Sequence, residues 1–128
     1  MIVDSSALLG IAFKEPGWWL VLDRITAGAY VGIGTPTLAE TGALLGARLG
    51  RDAEGLVDRM RYEFDLIEIE FGDRHWRETL SAYWRFGRGR HEAGLDLGDC
   101  FSYAVARLAH EPLLYLGGGF SLTDIRAA

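Results

Sequence analysis

The order in which short apolar segments alternate with helical segments constrains the fold of this chain more than any other feature. Four segments have the length and apolar character of buried strands, and two segments with helical spacing separate each from the next. The four strand segments are MIV, YVGIGT, DLIEIE and EPLLYL. Because strands joined through helices pair in parallel, the order predicts an α/β fold with three layers, in which helices flank a mostly parallel central sheet of four or five strands.

The helical segments begin and end at recognisable signals. SSALLGIAF is followed by Pro16 and Gly17, which stop a helix. Thr35 as the cap and Pro36 as the first helical residue are predicted to open PTLAETGALLGARLG. Asp96 is predicted to open a further helix, and the other three helical segments are WWLVLDRITAG, AEGLVDRMRYEF and DRHWRETLSAYWRF.

Size and composition indicate one compact domain over residues 1–128. The 128 residues, 49% of them hydrophobic, suffice for a single core. No apolar run approaches the ~20 residues that span a bilayer, and the start lacks the basic region of a signal peptide, so we expect a cytoplasmic protein without membrane contact. The single cysteine, Cys100, excludes an internal disulfide and a cysteine-cluster zinc site, and its apolar neighbours predict burial.

Four carboxylates are expected at one edge of the sheet. Asp4 ends the first strand, Glu40 lies near the start of the helix after the second, and Asp96 and Asp99 begin the helix before the last strand. In parallel sheets, ligands bind at the edge where the strands end. Acidic side chains brought together repel one another unless a cation neutralises them, and oxygen ligands favour Mg²⁺ or Mn²⁺.

Helix capping is the alternative role for each acid taken separately. Asp4 and Asp96 suit N-cap positions, Asp99 suits the first turn of its helix, and Glu40 completes the capping-box pattern Thr37-x-x-Glu40. For any one of these acids capping is favoured, but it does not explain why all of them fall at strand ends.

A basic segment precedes the paired aspartates. The net charge of −5 argues against a protein that coats nucleic acid, yet RFGRGRH places Arg88 and Arg90 just upstream of Asp96. A cationic loop beside an acidic site suits phosphate binding. Its alternative is a solvated loop that glycines keep mobile.

Several segments together resemble a known family. MIVDSSALLGIAFKEPG, TPTLAETGALL, YWRFGRGRHEAGLDLGDCFSYAVARL and PLLYLGGGFSLTDI follow one another as in PIN domains, and specifically as in the VapC toxins of bacterial toxin–antitoxin pairs. The resemblance covers nearly the whole chain. The GRGRH loop that leads to GDC is its most specific part.

The resemblance implies a Mg²⁺-dependent endoribonuclease, usually a homodimer, which a cognate VapB-type antitoxin inhibits by filling the active-site groove. The family's acidic set maps onto Asp4, Glu40 and Asp99, with Asp4 and Asp99 as metal ligands and Glu40 acting on the attacking water. Arg88 and Arg90 would contact RNA or the antitoxin.

The chain departs from the family pattern in LGGGF. The family places a fourth acid at the position of Gly119, and Asp96 and Asp124 are the two possible substitutes. The loss predicts one well-occupied metal and a weak second one, with Gly119→Asp expected to lower the Mg²⁺ requirement.

Two other classes of protein compete with the ribonuclease. A degenerate PIN module would bind an antitoxin or RNA without cleavage. An aspartate-nucleophile phosphatase would require an acid two residues after Asp4, where Ser6 stands instead. Exposed tryptophans would serve RNA stacking or partner binding, but the pattern does not tell which of Trp18, Trp19, Trp76 and Trp84 are exposed.

Overall fold

A computed structural model describes residues 1–128 and contains four strands and six helices in the predicted order. The elements are β1 (Ile2–Val3), α1 (Ser5–Phe13), α2 (Trp18–Ala27), β2 (Gly32–Gly34), α3 (Thr35–Leu49), α4 (Glu54–Glu63), β3 (Ile67–Ile69), α5 (Asp73–Phe86), α6 (Leu97–Ala109) and β4 (Leu113–Leu114). A single 3₁₀ turn follows at Phe120–Leu122. No helix is long and apolar enough to cross a membrane.

The four strands form one parallel sheet in the order β3-β2-β1-β4. The chain end adds an isolated parallel bridge between Leu113 and Ala127 at the β4 edge. The predicted fold class is therefore confirmed, with four strands. Each strand is only two or three residues long, shorter than its apolar segment, because pairing with the neighbouring strand rather than residue type sets its length.

Two hydrophobic cores lie on opposite faces of the sheet. Val3 and Ile33 pack with residues of α1 to α4, whereas Ile2 and Leu113 pack with α5 and α6. Ile2 and Val3 are neighbours that point to opposite faces, as strand geometry requires. Cys100 belongs to the second core, and burial raises the pKa of its thiol to about 12, so it is a structural residue as predicted.

The connections bring three chain segments to one edge of the sheet. β1 and β2 are parallel, so Asp4 and the start of α3 follow strands that end at the same edge. α6 runs back along the sheet before β4, which places its first turn at that edge as well. The expected convergence of the acidic residues is a consequence of this topology.

The helix boundaries agree with the predicted segments, but the N-cap predicted for α3 is wrong. The N-cap of α3 is Gly34, and Thr35 and Pro36 are already within the helix. Gly34 is the last residue of β2 and α3 begins at the next residue, so Gly34 itself takes the cap position and Thr35 is the first helical residue.

Candidate active site

The sheet edge at which Asp4, Glu40, Asp96 and Asp99 lie is called the carboxylate edge. Asp4 is almost completely buried there. Its Oδ2 accepts hydrogen bonds from the backbone N–H and the hydroxyl of Ser6, at 3.0 and 2.6 Å. Its Oδ1 accepts from the hydroxyl of buried Ser102 at 2.6 Å. Asp4 therefore caps α1, as the capping alternative predicted, and is also tied to α6 across the sheet edge.

Two buried hydroxyl groups, those of Ser102 and Thr37, hold Asp4 Oδ1 in place. The hydroxyls of Thr37 and Ser102 are 3.2 Å apart. Because Ser102 donates its only proton to Asp4, Thr37 is the donor to Ser102. α3 and α6 thus fix the orientation of the Asp4 carboxylate together.

Glu40 points from α3 toward α1 and α6. Its Oε1 accepts a hydrogen bond from the Ser5 hydroxyl. An added Cβ on Gly98 would overlap the Glu40 carboxylate, so this side chain lies directly over the first turn of α6. The predicted capping box between Thr37 and Glu40 is wrong, because Thr37 is turned to Ser102 and Glu40 to Ser5.

Asp96 and Asp99 form a reciprocal capping box at the start of α6. The N–H of Asp99 donates to Asp96 Oδ1 at 2.8 Å, and the N–H of Asp96 donates to Asp99 Oδ2 at 3.0 Å. The capping role is therefore present. It uses one oxygen of each carboxylate and leaves the other without a protein donor.

Burial and like charge act together on two of these acids. Burial is the main cause that raises the pKa of Asp99 to about 7, with further increases from Asp96 and Asp4 and a decrease from the backbone hydrogen bond. Burial also raises the pKa of Glu40, against the hydrogen bond from Ser5, and the charges of Asp4 and Asp96 add to the increase. The negative charges of Asp4 and Asp96 therefore contribute to the raised pKa values of both Glu40 and Asp99.

The side chains do not form a finished ligand shell. No group of three or more His, Cys, Asp or Glu side chains is arranged to hold one metal ion. Asp4 and Glu40 face serine hydroxyls and Asp96 and Asp99 face backbone N–H groups, so protein donors occupy part of each carboxylate.

Asp124 does not join the carboxylate cluster. It accepts a hydrogen bond from the Tyr103 hydroxyl at 2.6 Å and lies 3.6 Å from Arg85 and 3.7 Å from Arg107. The Tyr103 hydrogen bond is the main cause that lowers the pKa of Asp124, and the two arginines lower it further. Asp124 therefore fastens the C-terminal segment to α5 and α6, and Asp96 is the extra acid that lies with the others.

Gly119 is enclosed by the backbone of Ala93. Its φ of −89° is open to any residue, but an added Cβ would overlap the Ala93 carbonyl oxygen. An acid at position 119 therefore requires the backbone to move, so a lower Mg²⁺ requirement of Gly119→Asp stays a prediction that depends on this movement.

The basic loop between α5 and α6 is folded onto itself. The N–H of Arg88 donates to Leu95 and the N–H of Leu95 donates to Phe86, both at 3.0 Å, so the loop is closed directly beside Asp96. These hydrogen bonds hold the base of the loop. The side chains of Arg88 and Arg90 are exposed, and neither has a carboxylate within 4.0 Å.

Sequence reasoning assigned no role in this site to four residues, namely Ser5, Ser6, Gly98 and Ser102. A signal existed for Ser102, which lies three residues after Asp99 and so shares its helix face. Ser5 directly follows Asp4. Gly98 offers no chemistry of its own, and only the position of Glu40 reveals that it must be small.

Comparison with known proteins agrees with the fold just described. The family model of the PIN domain matches residues 1–125. The chain is 39% identical over 126 residues to the VapC ribonuclease Mb2004c of Mycobacterium bovis. The aligned region covers 98% of this chain and 91% of that protein. The chain thus belongs to the PIN domain family, within which its relatives are VapC ribonucleases.

Two solved structures share the fold at lower sequence identity. The VapC20 toxin of Mycobacterium tuberculosis, described as cleaving the sarcin-ricin loop, superposes with a TM-score of 0.78 at 18% identity and covers 99% of this chain and 97% of its own. A toxin–antitoxin complex from Klebsiella pneumoniae gives a TM-score of 0.64 at 16% identity, with 91% and 85% coverage.

Proposed function

We propose that the protein is the toxin of a type II toxin–antitoxin module, a Mg²⁺-dependent endoribonuclease whose active site is the carboxylate edge. The observation that carries the proposal is the position of Asp4, Glu40, Asp96 and Asp99, drawn from three separate segments to the strand ends of a PIN fold. Membership among VapC ribonucleases supports the same activity.

The donor set fits Mg²⁺ or Mn²⁺. The four acids offer only oxygen ligands, which these hard cations prefer. The raised pKa values of Asp99 and Glu40 report unfavourable negative charge that a divalent cation would offset. Asp4 and Asp99 are the proposed ligands, and Asp96 is placed to assist them.

When bound, the cation would act as a Lewis acid on the scissile phosphate and lower the pKa of water. The reaction is hydrolysis, in which a water oxygen bonds to phosphorus, the bond to the 3′-oxygen breaks, and this oxygen takes a proton from solvent to leave as a hydroxyl group. Glu40 accepts the proton of the attacking water, a role that its raised pKa favours. The products carry a 5′-phosphate and a 3′-hydroxyl, and the 2′-hydroxyl takes no part as nucleophile.

The partners proposed are RNA, a VapB-type antitoxin and a second copy of the chain as homodimer. The exposed Trp19 and Leu20 of α2 support a protein partner, because large apolar side chains at the surface favour docking of an amphipathic helix. The Klebsiella pneumoniae structure, described as a toxin–antitoxin complex, supports the antitoxin.

Mapping RNA 5′ ends after induced expression tests the proposed activity in cells. We expect new 5′-phosphate ends at defined positions with the native chain and none with Asp99→Asn. Equal antitoxin binding by both chains with no new ends in either would instead identify the degenerate module, for which the enclosed Gly119 is the favouring observation.

Divalent-ion affinity is expected to depend on pH through Asp99. Its pKa is raised from the ordinary 3.8 to about 7, so the folded protein holds a proton that the unfolded chain has lost. In metal-free protein the free energy of unfolding should accordingly fall as pH rises from about 4 to about 7. A cation must displace this proton, so the dissociation constant for Mg²⁺ should decrease roughly tenfold per pH unit below about 7 and then level off.

Isothermal titration with Mn²⁺ or Mg²⁺ from about pH 5 to about pH 8 measures this dependence. Asp23→Asn, which alters an exposed acid of α2, should retain the native pH profile. A native affinity that stays constant across the range would contradict the assignment of Asp99 as a ligand.

The basic loop is expected to bind phosphate groups. Replacing Arg88 and Arg90 with glutamine should weaken RNA binding about equally across sequences, and should reduce the slope of log affinity against log salt by roughly one unit per lost contact. Arg24→Gln on α2 is the matched control, since Arg24 is exposed and has no ion pair either. An unchanged slope together with unchanged antitoxin affinity would leave the loop without a binding role.

A further inference from the structure

One face of α5 carries large apolar side chains that are exposed. α5 packs on α6 through buried Thr79 and Ala82. The exposed face has the three- and four-residue spacing of a helical stripe, and its members are Trp76, Leu80, Tyr83 and Trp84. Trp84 is 66% exposed, the largest fraction of the four tryptophans.

Arginines stack on both tryptophans of this α5 stripe. The Arg90 guanidinium lies 3.5 Å from the ring centroid of Trp84, and that of Arg77 lies 4.3 Å from Trp76. Arg77 also pairs with Asp73, whereas Arg90 has no acidic partner. The Trp84–Arg90 pair is therefore a flat, cationic surface with its charge unneutralised.

The α5 stripe leads to the carboxylate edge. Trp84 lies in the last turn of α5, and the loop that follows closes beside Asp96 at the start of α6. Trp76 lies two turns earlier, ~12 Å along the same helix face. A ligand bound along the stripe would thus have one end near the acidic residues.

We propose that the α5 stripe is a stacking platform for single-stranded RNA, on which a base next to the cleaved phosphate stacks on Trp84 and Arg90. The proposal rests on the ribonuclease function and adds the residues that hold the substrate bases. Aromatic and guanidinium planes are the surfaces on which proteins stack unpaired bases, and unpaired arginines complement the flanking phosphates.

Charge favours RNA over a second copy of the chain at this stripe. A two-fold interface places the same patch against itself. Where the two-fold axis passes close to Trp84, Arg88 and Arg90, which lack acidic partners, would face their own counterparts and lose solvent, which is unfavourable. RNA phosphates would instead neutralise both.

Binding of two fluorescently labelled oligomers in the presence of EDTA tests the platform apart from cleavage. One is a uridine hexamer, and the other is a hexamer of the same backbone without bases. Native protein should bind the uridine hexamer about tenfold more tightly than the abasic one, since stacking adds affinity for each stacked base. Trp84→Leu should remove most of this preference and leave the affinity for the abasic oligomer unchanged, while Trp84→Phe should keep part of it.

Tyr62→Leu is the matched control, because Tyr62 is 86% exposed on α4, and it should bind both oligomers like the native chain. A native protein that does not distinguish the two oligomers, or a Trp84→Leu protein that keeps the full preference, would overturn the proposal. If Trp84→Leu converts a dimer to a monomer in sedimentation while the preference is unchanged, the stripe is an interface between copies. Base-dependent binding without any Mg²⁺-dependent cleavage would instead contradict the proposed ribonuclease activity and support the stacking platform.

Discussion

Asp99→Asn is expected to reduce Mg²⁺-dependent RNA cleavage by roughly three orders of magnitude while the protein stays folded. Removing one charged ligand takes several kcal/mol from the stabilisation that a cation gives the transition state, and each ~1.4 kcal/mol is a factor of ten in rate. The asparagine oxygen can still accept the N–H of Asp96, so the capping box of α6 survives.

The same substitution should raise the stability of the metal-free protein. Asp99 carries a charge that burial and its acidic neighbours disfavour, and the neutral amide removes it. Urea unfolding in EDTA should therefore show Asp99→Asn at least as stable as the native chain near neutral pH. Added Mg²⁺ should stabilise the native chain much more than the variant, because the native chain binds the ion more tightly and a bound ligand stabilises the folded state.

Asp4→Asn should abolish cleavage to a similar extent with a different effect on the fold. Its amide group would face Ser102, which must then accept a hydrogen bond and turn its own proton away from residue 4. We expect a less stable protein than Asp99→Asn. Native-level cleavage by both variants would contradict the assignment of the two aspartates.

Gly98→Ala is expected to reduce cleavage about 100-fold without weakening the fold. The new methyl group would overlap the Glu40 carboxylate, whose flexible side chain can swing away at little cost to the core. Displacing a proton acceptor by about an ångström is enough for a loss of this size. Alanine also favours the helix over glycine by about 1 kcal/mol, so α6 itself should not be harmed.

Gly55→Ala supplies the matched control for this experiment. Gly55 lies within α4, and an added Cβ there meets nothing within 4 Å. Single-turnover cleavage rates and thermal unfolding of both variants should show a slow but stable Gly98→Ala and a fully active Gly55→Ala. A Gly98→Ala protein as active as the native chain would show that the observed position of Glu40 is not needed.

Local sequence signals predicted the order of the elements and the edge where the acids meet. α1 and α5 have the predicted bounds because helix signals such as Pro16 and Gly17 act within a few residues. The parallel topology then carried Asp4, Glu40, Asp96 and Asp99 to one edge without any knowledge of side-chain contacts.

The contacts that orient those acids were not predictable in the same way. Ser102 reaches Asp4 across 98 positions of the chain, and no local pattern encodes such a pair. The incorrect predictions for Thr35 and Glu40 have one cause. Both assumed that a polar residue near the start of a helix caps that helix. The crowding of Gly119 by Ala93 depends on tertiary packing alone.

The most direct test of the carboxylate edge as a ribonuclease site is cleavage of one defined single-stranded RNA by native protein and by Asp99→Asn, with Mg²⁺ and with EDTA, followed by analysis of the product ends. Our account predicts products with 5′-phosphate and 3′-hydroxyl ends from the native protein with Mg²⁺ only. Cleavage that persists in EDTA or in Asp99→Asn, or products that end in 2′,3′-cyclic phosphate and 5′-hydroxyl, would contradict it.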